Sequence, residues 1–122
     1  MKRVLASLLS VILLFNYSPY AEAHSTLISS NPKNGAHLSS LPARVTLNFN
    51  ENLLIIAGKQ PHTLVVTSAN GNPIGVGSLF IKGSRISRQL SKKVAKGRFK
   101  VAYRVVSADG HPIQGNYFFI VK

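Results

Sequence analysis

Cysteine and tryptophan are absent from the 122 residues, and the single methionine is the initiator. Without cysteine there is no disulfide framework, no zinc–thiolate site and no thiol nucleophile. Without internal methionine there are no thioether ligands for a soft metal ion. Acidic side chains are scarce: 3 Asp+Glu stand against 15 Lys+Arg, a formal net charge of +12. No long apolar pattern with a 3.6-residue period runs through the chain, which argues against a helical fold. A hydrophobic content of 45% excludes a disordered basic tail. The length fits one domain of ordinary size. The charge imbalance points first to a polyanion partner, either nucleic acid or an anionic membrane.

The N-terminus bears on that partner. Lys2 and Arg3 precede an apolar run from Val4 to Phe15, interrupted only by Ser7 and Ser10. Ala21-Glu22-Ala23 then supplies a small-x-small cleavage pattern. Residues 1–23 therefore read as a cleaved signal peptide, and residues 24–122 as the working domain. The run is too short for a membrane anchor, which needs about 20 apolar residues. Cleavage leaves 13 basic and 2 acidic side chains, a net charge of +11. An exported protein does not ordinarily meet nucleic acid, so that partner is set aside. The new N-terminus is His24, which places an imidazole and a free α-amine on one residue.

Short alternating runs separated by Gly, Pro and Asn predict an all-β sandwich or barrel of about seven strands. Val45, Leu47 and Phe49 alternate with polar residues, as do Phe99, Val101, Tyr103 and Val105, and again Tyr117, Phe119 and Val121. Thr63–Thr67, Ser78–Ile81 and Ile86–Leu90 read as further strands, and Asn70-Gly71-Asn72-Pro73 as a turn. Arg85–Lys100, the most basic stretch, reads as the solvent face of strands plus a turn. Tyr103 and the phenylalanines are expected in the core, and His37 and His62 on the surface.

The two acidic side chains that survive cleavage, Glu51 and Asp109, each end a predicted strand. Asp109 stands two residues before His111 within Ser107-Ala108-Asp109-Gly110-His111-Pro112. Residues at i and i+2 of extended chain share a side, so carboxylate and imidazole can converge. Together with His24 they form an N/O donor set of the kind that suits copper(II), zinc or nickel(II), with tetragonal coordination favouring copper(II). Asp-Gly is also a common turn pair. Spacing alone leaves turn and metal ligand both open.

From His24 onward the chain resembles the copper-resistance protein C (CopC) family of exported copper-binding proteins. The segments that carry the likeness are His24-Ser25-Thr26-Leu27, Ser30–Ala36, Leu47–Leu53 and Gly97–Phe119. Within the last, Val105-Val106-Ser107-Ala108-Asp109-Gly110-His111-Pro112 is the most specific. The resemblance implies a Greek-key β-sandwich of cupredoxin or immunoglobulin-like type. It also implies a single copper(II) ion held by His24, through amine and imidazole, with Glu51, Asp109 and His111. Asn50 stands where the family commonly has Ser, and Tyr103 where it commonly has Trp. The methionine-rich segment of some members is missing, so no copper(I) methionine site is expected.

The expected function is thus a periplasmic, monomeric, non-enzymatic copper(II) carrier or buffer, serving copper resistance and homeostasis. Family analogy adds an inner-membrane copper transporter of the CopD type as partner. Two alternatives stand beside it. One is a basic module that docks on polyanions or membranes. The other is a copper oxygenase with a histidine brace, which a domain of this size and its carboxylate ligands disfavour.

Overall fold

The computed structural model describes residues 26–93 and 96–122. The expected cleavage site and His24 lie outside them. Eight strands form in chain order: β1 (Leu27–Asn31), β2 (His37–Leu38), β3 (Arg44–Phe49), β4 (Thr63–Thr67), β5 (Gly75–Lys82), β6 (Arg85–Leu90), β7 (Gly97–Val106) and β8 (Pro112–Val121). They make two four-stranded sheets, ordered β1-β3-β6-β5 and β2-β8-β7-β4. Every pairing is antiparallel except that of β2 with β8. This is the expected β-sandwich with one strand more than about seven.

Alternation sets which face of each strand is buried. On β3, Val45, Leu47 and Phe49 face inward, and on β7 Phe99, Val101 and Val105 do the same. They meet Leu64, Val66, Ile86, Tyr117 and Phe119 in one continuous core. Phe99 and Phe119, cross-strand neighbours, stack with ring centroids 5.2 Å apart. Phe49 meets Tyr103 edge-on at 5.8 Å, joining the two sheets near the end where β7 turns into β8.

Three expectations are corrected. Phe80 is 55% exposed on the edge strand β5, and Phe118 lies half-buried on the outer face of β8, so not every phenylalanine joins the core. His37 is exposed as expected, but His62 is buried, at 2% exposure. In the basic stretch, Arg88 does not face solvent with its neighbours. It turns inward on β6, where its Nε donates to Leu64 O (3.2 Å) and its Nη1 to Gly77 O (2.6 Å). That arginine spans the open edge between β4 and β5 and occupies carbonyls at both.

Candidate metal centre

Asp109 and His111 occupy the turn between β7 and β8. The turn is built by Ser107, which is fully buried. Ser107 N–H donates to His111 O (2.9 Å), and Gly110 N–H donates to Ser107 O (2.8 Å). The Ser107 hydroxyl donates to Asp109 Oδ1. Gly110 has φ +90°, a left-handed conformation that glycine adopts without strain. Asp109 and His111 therefore converge through a closed turn, not through extended chain. His111 Nδ1 lies 2.9 Å from Asp109 Oδ2. Both side chains are open to solvent, at 60% exposure for His111 and 50% for Asp109.

The carboxylate is poised to stay charged. The Ser107 hydroxyl first, and the His111 imidazole second, hold Asp109 down at about 2 from an ordinary 3.8. A carboxylate on one ring nitrogen fixes the orientation of an imidazole, the usual support for a metal-binding histidine.

The same turn occurs twice in the molecule. Ser68-Ala69-Asn70-Gly71-Asn72, which follows β4, repeats the bonding of Ser107–His111 position by position. Ser68 N–H donates to Asn72 O (2.9 Å), Gly71 N–H to Ser68 O (2.9 Å), and the Ser68 hydroxyl to Asn70 Oδ1. Asn70 and Asn72 satisfy that geometry without charge or imidazole. Turn formation accounts for Ser107 and Gly110, but it does not account for Asp at 109 or His at 111.

Glu51 is half-buried in the segment that leaves β3. That segment touches two others. On one side Asn50 Oδ1 accepts from Thr26 N–H (2.7 Å), and Asn50 N–H donates to Thr26 O (3.1 Å). On the other, Asn52 O accepts from Ala108 N–H (2.8 Å), and Leu54 N–H donates to Val106 O (2.9 Å). Residues 50–54 thus lie between the start of β1 and the Asp109–His111 turn. Of the four expected ligands, the structure joins Asp109 and His111 and sets Glu51 on the adjoining segment. His24 lies outside the described residues. Among the described residues no group of three or more His, Cys, Asp or Glu side chains converges.

His62 supports this region from beneath. Val106 N–H donates to His62 Nδ1 (3.0 Å), so Nε2 carries the ring proton and donates to Leu54 O (2.8 Å). One neutral imidazole ties the Glu51 segment to the end of β7. Sequence reasoning missed His62 and the Asn50 tether. The Gln60-Pro61-His62 context reads as polar loop, and its partners are 8 and 44 residues away.

Residues 27–122 match the family model described as the CopC domain. The chain is 34% identical over 112 residues to copper resistance protein C of Pseudomonas syringae pv. tomato, covering 86% of each. It is 32% identical over 107 residues to copper resistance protein C of Escherichia coli, covering 84% of each. A segment of the Bacillus subtilis copper transport protein CutJ is 30% identical over 96 residues, which span 76% of this chain and 17% of CutJ. Among solved structures, PcoC from Escherichia coli, a methionine-rich copper resistance protein, superposes with a TM-score of 0.66 at 28% identity, over 82% of this chain and 100% of PcoC. CopC from Methylosinus trichosporium OB3b shares the fold, with a TM-score of 0.69 at 24% identity, over 81% of this chain and 94% of that one.

Proposed function

Because the chain belongs to the CopC domain family, we propose that it binds one copper(II) ion at the Asp109–His111 end of the sandwich and carries or buffers that ion in the periplasm. The family is one of copper-binding and carrier proteins and not of enzymes, so the oxygenase alternative falls away.

The observation that carries the reading is the charged, imidazole-bearing copy of a turn that the molecule also builds from two asparagines. The donor set fits the ion. His111 offers imidazole nitrogen, and Asp109 and Glu51 offer anionic oxygens that offset a dication. His24, once exposed by cleavage after Ala23, adds an amine and an imidazole from a single residue. Two residues of chain reach about 7 Å, and Thr26 is fastened to Asn50, next to Glu51. That tether brings Thr26 beside the Glu51 segment, which supports His24 as the fourth ligand. Chelation from one residue also limits the entropy lost on closing the site. An open, solvent-facing site suits an ion that must be handed on.

Binding must displace protons from nitrogen donors, so affinity falls as the solution is acidified. With its only methionine at position 1, the chain lacks the thioether donors available to the methionine-rich PcoC, and the cargo is copper(II). The partner supported best is a membrane copper transporter of the CopD type. CutJ, named a copper transport protein, contains a segment like this chain within a far longer one.

The test is a copper(II) titration of mass-verified protein starting at His24, followed by electron paramagnetic resonance. One equivalent bound with nitrogen hyperfine structure is expected. A copper spectrum without nitrogen ligands would reject the site.

A further inference from the structure

Every acidic side chain among the described residues lies at the turn end of the sandwich, as Glu51 or Asp109. The outer face of the β2-β8-β7-β4 sheet therefore carries no carboxylate from its own strands. Its central strand β7 presents Arg98, Lys100 and Arg104, while Phe99, Val101 and Val105 point into the core. Along a strand these cations stand about 7 Å and about 13 Å apart. Apolar groups sit beside them. Arg98 pairs across the ladder with Ile120 and Lys100 with Phe118, and Val65 on β4 is 40% exposed.

The Arg98 guanidinium lies over the Phe118 ring, 3.8 Å from its centroid. Stacking fixes the guanidinium plane and leaves its N–H edges for an anion. Arg98, Lys100 and Phe118 also line a hollow of about 310 Å³ together with Thr67, Ser68 and Gly71. The opposite sheet is basic as well, but two of its cations are engaged: Arg85 Nε donates to Asn48 (2.9 Å), and Arg88 is turned to backbone carbonyls.

We propose that this face docks on an anionic phospholipid surface, with a headgroup phosphate in the hollow between Arg98 and Lys100. A sheet face that mixes a row of cations with exposed apolar groups matches a broad anionic surface better than a single extended polyanion. The row runs on β7 toward the Asp109–His111 turn, so docking would fix how that turn is presented along the membrane. Docking of this face does not depend on copper binding.

The experiment is sedimentation of protein processed at Ala23 with vesicles of phosphatidylcholine, with and without phosphatidylglycerol. Binding only to the anionic vesicles is expected, and it should vanish near 1 M salt, where charges are screened beyond about 3 Å. Each cation near such a surface contributes about fivefold in partition. A triple variant, Arg98→Gln with Lys100→Gln and Arg104→Gln, should lose about 100-fold. The charge-matched triple on the opposite sheet, Arg44→Gln with Lys82→Gln and Arg85→Gln, should lose far less. Should the first triple not fold, the single exposed substitution Lys100→Glu should still lose about 25-fold. Equal loss from both triples, or retention on a soluble polyanion with no vesicle binding, would overturn the proposal.

Discussion

Asp109 and His111 are bonded to each other through Oδ2 and Nδ1 at 2.9 Å, in a turn closed by the buried hydroxyl of Ser107. The matching turn at Ser68–Asn72 does without charge and imidazole. The two turns together separate what the backbone needs from what the pair adds, and they make the site testable without breaking the fold.

Asp109→Asn should keep the turn, since Asn70 fills the equivalent place. At neutral pH the fold should persist with a modestly lower melting temperature, since the ionised carboxylate contributes there. Copper(II) affinity, read by competitive titration, should fall about 10–100-fold. Unchanged copper(II) affinity would show that the carboxylate serves the turn and not the ion.

Acid should act on metal-free protein through the same group. Asp109 is held at about 2 in the folded state against an ordinary 3.8. A depressed carboxyl stabilises the fold above its unfolded value and loses that effect as pH falls through its folded value. The contribution of Asp109 should thus be complete above about pH 4 and disappear toward about pH 2. Thermal melts of parent and Asp109→Asn should converge across that window. Ser107→Ala, which removes the principal hydrogen bond, should raise the Asp109 pKa toward the ordinary value in a carboxyl NMR titration.

His62→Ala should be costly. It strands the Val106 N–H and the Leu54 carbonyl and leaves a cavity beneath the site. The expected loss is about 3–5 kcal/mol by urea denaturation. A loss under about 1 kcal/mol would mean that water replaces the imidazole at little cost.

Much of the fold is legible in the sequence. β3 and β7 alternate cleanly, because each has one face on the core, and β4 shows as a short β-branched apolar run. β1 is harder to see: Leu27-Ile28-Ser29-Ser30-Asn31 has weak alternation, and a register shift at Leu27/Ser29 breaks it further. The two-residue β2 exists through its pairing with β8. Asp109 and His111 can be read from a spacing of two, although a turn and not a strand brings them together. His62 cannot be read, because only the folded chain puts Leu54 and Val106 on either side of it. Phe80 misleads for a similar reason, since sequence does not tell an edge strand from a central one.

Gly115→Ala tests the packing beside the site. A Cβ at 115 would come within 2.5 Å of the Tyr103 hydroxyl and 2.8 Å of its ring. Tyr103 is a stiff, half-buried side chain packed on Phe49. The substitution should destabilise by about 1–3 kcal/mol in chemical denaturation. Adding Tyr103→Leu should recover part of that loss in a double-mutant cycle.

In the proposed copper site the free His24 amine is a ligand, and one alanine added before His24 removes it. The extended protein keeps every side chain and converts the amine to an amide. Parallel copper(II) titrations of the two forms at neutral pH should show the extended one markedly weaker, with one nitrogen fewer in its paramagnetic resonance spectrum. Equal affinity and an unchanged spectrum would rule out the His24 amine as a ligand.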